Sequence, residues 1–183
     1  MMAGWLIRVN VKMPEQNNDL QAEIARFEKE TNSFAEPHLT DLGNCKRFIQ
    51  RYGADIRYVP AWGWISWDGR RWARDAEGKV WQKAKETVLN LHFMASLESN
   101  DEIRRRLIQH ALRSESEARI AAMISLAQSE SKIIARPEDF DREYFLFNVE
   151  NGTVDLRTGQ LQAQKREDLI TKISSVTYNP DAD

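Results

Sequence analysis

The sequence predicts an α+β fold in which hairpin-rich β segments flank a central three-helix run. Three observations carry that prediction. Residues 58–72, Y-V-P-A-W-G-W-I-S-W-D-G-R-R-W, hold four of the six tryptophans, Trp62, Trp64, Trp67 and Trp72, around an Asp68-Gly69 pair. Asp-Gly between aromatic and β-branched runs signals a hairpin, and favours a type I′ turn with positive φ at both central residues. Residues 80–128 contain three successive apolar patterns of helical period with short joints. Residues 144–164 return to strand-like runs around Asn151-Gly152, a second hairpin pair.

In chain order, residues 1–36 read as an arm or linker, with a strand over residues 5–11 and a helix over residues 19–31. Thr40 to Asn44 introduces a helix ending at Tyr52, with Gly53 as its C-cap and Leu42, Cys45, Phe48 and Ile49 as its apolar stripe. Strands follow at 57–59, 64–67 and 71–74. The helix over 80–97 presents Trp81, Ala84, Val88, Leu91 and Ala95, widened by Leu89, His92 and Phe93. A second helix, starting at Asn100-Asp101, turns Ile103, Leu107, Ile108 and Ala111 inward. Ser114 and Glu117 make a capping-box pattern that launches a third helix to about Gln128. Pro137 stops the helices. Strands are expected at 144–149, 153–156 and 160–164, weak alternation at 169–178, and a linker at 179–183.

The formal net charge is −2, which argues against a generally basic nucleic-acid binder. Its distribution is uneven: residues 46–85 hold ten Lys/Arg against four Asp/Glu, and residues 137–183 hold five against ten. Such asymmetry suits a polyanion-facing side and a partner-facing side. The single cysteine, Cys45, excludes an intramolecular disulfide and fits a reducing compartment. With neither a signal peptide nor a membrane span in the sequence, the expectation is a cytoplasmic protein without membrane contact.

Little catalytic chemistry is legible. Gly78-Lys79 is followed by Val80, so no phosphate-binding loop of the P-loop type is present. His38, His92 and His110 lack metal-binding spacing, and no catalytic residue, metal or cofactor is assigned. Asp139 and Asp141 have the i, i+2 spacing of a Mg²⁺-binding nucleotidyl-transferase pair, but they follow Arg136-Pro137 in a turn, where cap duty is the simpler role. The candidate DNA-contacting residues are basic and aromatic: Arg70, Arg71, Arg74, Trp67 and Trp72, with the Arg104, Arg105, Arg106 run. Together they could form one weak, sequence-independent phosphate surface with stacking indoles. Alternatively, the arginines stack on Trp67 and Trp72 within the sheet and serve the fold.

Several motifs occur in order: T-D-L-G-N-x-x-R-F from Thr40, R-Y-V-P-x-W-G-W from Arg57, W-D-G-R-R-W from Trp67, S-E-S-E-A-R-I-x-x-M from Ser114, F-N-V-x-N-G-T-V-D-L-R-T-G from Phe147 and R-E-D-L-I-T-K from Arg166. With them residues 37–183 resemble the helicase-preceding domain of phage and plasmid primase-helicases, named after the poxvirus primase-helicase. The resemblance implies an accessory collar or linker domain, 37–178, in DNA replication. Its implied partners are a C-terminal superfamily 3 helicase, an N-terminal primase module, DNA and further copies of the chain. ATP binding would lie beyond Asp183. A stand-alone nucleic-acid-binding module and a small metal-dependent nucleotidyl transferase remain the alternatives.

Overall fold

The computed structural model describes residues 38–181, so the expectations for residues 1–36 lie outside the described part. The described chain is α+β, with four helices and two three-stranded antiparallel sheets. Helix α1 (Asp41–Tyr52) leads into β1 (Ile56–Val59), β2 (Gly63–Trp67) and β3 (Trp72–Arg74). Helices α2 (Lys79–Leu97), α3 (Asp101–Ser114) and α4 (Glu117–Ala127) follow, then β4 (Leu146–Val149), β5 (Gly152–Asp155) and β6 (Gln160–Gln162). Single 3₁₀ turns sit at Pro137–Asp139 and Arg166–Asp168.

The helical core forms where three apolar stripes meet. Cys45 and Phe48 of α1 pack with Val80, Ala84 and Val88 of α2 and with Met123, Ile124 and Ala127 of α4. The Thr40 hydroxyl caps α1 by accepting from the Gly43 N–H at 3.1 Å, and Asp75 caps α2 by accepting from the Lys79 and Val80 N–H groups at 2.6 and 2.9 Å. Helix α3 packs chiefly on α2. Several expectations are corrected. Leu89 is 62% exposed, and Trp81 and Phe93 are exposed too, because the buried side of α2 is set by Val80, Ala84, Val88, Leu91 and Ala95. Leu42 of α1 and Ile103 and Ile108 of α3 are likewise exposed, and Leu107 and Ala111 carry the buried side of α3. The capping box at Ser114 does not form: Ser114 closes α3, buried, and Ser116 is the N-cap of α4 without a side-chain bond.

The first sheet has order β1-β2-β3, and its buried side holds Val59, Ile65 and Trp72 against Phe140. A parallel bridge between Tyr58 and Ile134 covers the β1 edge. Trp67 pairs with Trp72, so the loop between them is residues 68–71. The hairpin is as expected but the turn is not type I′: Gly69 has positive φ and Asp68 does not. Asp68 instead organises the loop, its Oδ1 accepting from the Arg70 and Arg71 N–H groups, both at 2.8 Å.

The second sheet has order β4-β5-β6, and Asn148 ties it to the first. Its buried amide donates to the carbonyl oxygens of Arg70 (2.9 Å) and Lys172 (3.0 Å). The segment expected to alternate, 169–178, forms no strand, yet it straps both sheets. Trp72 N–H donates to Ile170 O at 2.8 Å, Ser174 N–H to Asn148 O at 2.9 Å, and Glu150 N–H to Val176 O at 3.0 Å.

The second turn is also not type I′. Val149 pairs with Gly152, so its centre is Glu150-Asn151, and neither has positive φ. Gly152 is required by close approach instead: a Cβ there would lie 2.5 Å from Gln162 O and 2.7 Å from Leu161 Cδ1. Gly152→Val should therefore force β6 away and cost about 1–3 kcal/mol by overpacking. Urea unfolding checks this; an unchanged midpoint would mean that β6 yields freely.

Candidate nucleic-acid interface

The tryptophan hairpin separates into a buried side and a polar rim. Trp72 is 1% exposed. Its Nε1–H donates to Arg166 O at 2.8 Å, and its ring meets Trp67 (6.2 Å between centroids), Phe140 (6.2 Å) and the Arg57 guanidinium (5.0 Å). Every face of the indole is thus used inside the fold, which corrects the expectation of Trp72 as a DNA-stacking residue. Trp67 is half-buried beside it. The arginine that stacks on the hairpin is Arg57, not Arg70 or Arg71, and burial holds its pKa below the usual value.

The loop arginines divide as well. Arg71 is half-buried; its guanidinium lies 3.7 Å from Asp68 and donates to Thr171 O at 3.3 Å. It braces the loop. Arg70 is exposed, 3.7 Å from the equally exposed Glu150, a separation at which a surface ion pair is weak. Arg74 is exposed at the end of β3 and makes no ion pair with a described residue. Arg70 and Arg74 are therefore the hairpin cations available to a polyanion.

The Arg104, Arg105, Arg106 run does not join them. Arg104 pairs with Asp101 and donates to Glu98 O at 3.0 Å, beside the C-terminal end of α2. Arg74 precedes Asp75, which caps the N-terminal end of the same helix. Nineteen helical residues rise roughly 28 Å, well beyond a Debye length of about 8–10 Å. The single surface expected from the sequence is thus two separate basic features. Arg105 and Arg106 are exposed on α3.

Asp139 and Asp141 are each bonded to a different segment. Asp139 accepts from the Arg136 N–H at 2.9 Å, capping its 3₁₀ turn. Asp141, at positive φ, takes the Thr171 N–H (2.8 Å) and hydroxyl (2.6 Å). These bonds give both carboxylates structural roles, of the cap kind expected for such a turn. No cluster of three His, Cys, Asp or Glu suited to a metal occurs among the described residues. Burial pushes the Cys45 thiol up to about 11, so it is packed rather than reactive.

His110 belongs to a buried polar knot. Its Nε2 donates to Asn44 Oδ1 at 2.9 Å, and the Asn44 amide donates to Ser114 Oγ at 2.9 Å. Burial first, then the charges of Arg47, Arg119 and Arg113, holds its pKa below the ordinary 6.5. The folded chain therefore keeps His110 neutral while the unfolded chain takes up a proton below about pH 6.5. Its contribution is full above that pH and is lost as pH falls, at up to about 1.4 kcal/mol per pH unit. Urea midpoints at pH 7.5 and 5.5 should converge in His110→Gln; equal slopes in both chains would contradict this assignment.

What sequence inspection missed is a cleft of about 1070 Å³ between the two β regions, lined by Arg57, Lys132, Arg142, Lys165, Glu143 and Asp168 among others. These residues come from segments far apart in sequence, so no local spacing announces them. Burial raises the Asp168 pKa, and its Oδ2 has no hydrogen-bond partner among the described residues. A family defined as D5 N terminal like matches residues 45–183. The chain belongs to that family. No curated protein matches it. D5 N-terminal-like domains precede the helicase in phage and viral primase-helicases, so this D5 N-terminal-like domain has a replication-associated setting. No helix among its described residues is long and apolar enough to cross a membrane.

Proposed function

We propose that the domain serves DNA replication as a non-catalytic module beside a helicase, supporting its assembly and touching DNA weakly through the rim of the tryptophan hairpin. The family match over residues 45–183 carries this reading. The exposed Arg70 and Arg74, standing on a sheet braced by Arg71 and Trp72, support the DNA contact. A helicase or primase domain is the expected protein partner, and the full-length protein is the expected setting for oligomerisation. The sequence has no P-loop, so nucleotide hydrolysis belongs to the neighbouring module in this scheme. Titration of the chain with labelled DNA at several salt concentrations tests the contact. Counterion release predicts that log affinity falls with log salt by roughly 0.7–0.9 per phosphate neutralised, without sequence preference. ATP turnover should match the buffer blank. A salt-independent affinity, or turnover abolished by a point change within the chain, would contradict the proposal.

A further inference from the structure

The turn before β4 contains an aromatic residue that the fold leaves outside. Tyr144 is 89% exposed and stands at the edge of a depression of about 350 Å³ that it lines with Asp141 and Lys172, the Asp141 carboxylate accepting from Thr171. Glu143 and Leu146 line both that depression and the 1070 Å³ cleft, so residues 142–147 form the ridge that divides the two. Lys132, Arg142 and Lys165 line the cleft, and Lys172 the depression. None of these four cations makes an ion pair with a described residue. Most acids of the larger cleft are already engaged: Asp155 with Arg157 at 3.1 Å, Glu167 with Arg166 at 3.4 Å, and Asp139 with a backbone N–H. Burial moves Asp168 toward its neutral form. Glu143 is the remaining exposed carboxylate.

We propose that this ridge is a platform for single-stranded nucleic acid, with a base stacked on Tyr144 and the flanking phosphates held by Arg142, Lys165 and Lys132 on one side and Lys172 on the other. The chemistry selects single strands. A ring this exposed can take the face of an unstacked base, whereas a duplex keeps its base faces covered. Cations on both sides of the ridge suit a backbone that crosses it. The inference rests on the reading that this domain touches DNA, and adds a second contact distinct from the arginine hairpin.

Fluorescence anisotropy of the whole chain tests it, with an oligothymidylate of about 20 nucleotides and a duplex of the same length. Tyr144→Ala should weaken single-strand binding about tenfold and leave duplex binding unchanged. Tyr144→Phe keeps the ring and should bind like the parent. Glu143→Gln removes a like charge from the path and should tighten single-strand binding. Equal single-strand affinity of the parent and Tyr144→Ala would overturn the inference, as would equal losses on both DNAs. If Arg70→Ala/Arg74→Ala loses binding while Tyr144→Ala does not, the hairpin contact stands and the ridge falls. If the parent binds neither DNA, both fall. A change of oligomeric state in Tyr144→Ala with unaltered DNA binding would assign the ridge to a protein contact and also overturn the proposal.

Discussion

Trp72→Ala should destabilise the domain by about 3–5 kcal/mol, in the range for deleting a buried aromatic side chain. The indole fills the centre of the smaller core with Val59, Ile65 and Phe140. Its loss opens a cavity, removes the Nε1–H bond to Arg166 O and leaves the Arg57 guanidinium without the ring beneath it. The cost corresponds to a fall in melting temperature of roughly 10 °C or more. Trp67→Ala, at a half-buried site, should cost distinctly less. A Trp72→Ala chain that melts within about 1 kcal/mol of the parent would show that the hairpin is not organised around this ring.

The second large effect is expected at Asn148. Asn148→Leu keeps the branched skeleton but adds bulk at a buried site and leaves the part-buried Arg70 and Lys172 carbonyls without their donor, at about 1–3 kcal/mol in all. Asn148→Asp separates hydrogen bonding from shape. A carboxylate facing two carbonyl oxygens is repelled, so its pKa in the folded chain should lie above the unfolded value. Stability is then highest below the carboxylate range and is lost as pH rises through the raised folded pKa. Parallel urea titrations at pH 4.5 and 7.5 should show this pH dependence in Asn148→Asp relative to the parent; a pH-independent difference would remove the carbonyl contacts from the account.

The helices were legible because their signal is local. Period and the short joints are read within a turn or two of the residues concerned; α1 buries Cys45 and Phe48 and α3 buries Leu107 and Ala111 of the stripes those patterns marked, while Leu42, Ile103 and Ile108 at their edges stay exposed. The hairpins were legible as hairpins but not as turns. Pairing of Trp67 with Trp72 and of Val149 with Gly152 sets the loop lengths, and that register depends on neighbours outside the turn dipeptides. The division of the tryptophans was illegible for a related reason. Phe140, Arg166 and Ile170, which surround or bind Trp72, lie far along the chain. The Arg104 run looked like part of one basic surface because sequence distance hides the length of α2, which separates it from Arg74. Asn148 and the large cleft carry no local signature at all: both are defined by segments that meet only in the fold.

In the proposed function the tryptophans build the hairpin while its outward arginines meet DNA. The most direct test compares the parent with Arg70→Ala/Arg74→Ala, measuring melting temperature and the slope of log Kd against log salt on the same preparations. The account predicts an unchanged melting temperature and a slope flatter by about one to two units, with all DNA sequences weakened alike. An unaltered slope together with a lowered melting temperature would assign these arginines to the fold and contradict DNA contact by the hairpin.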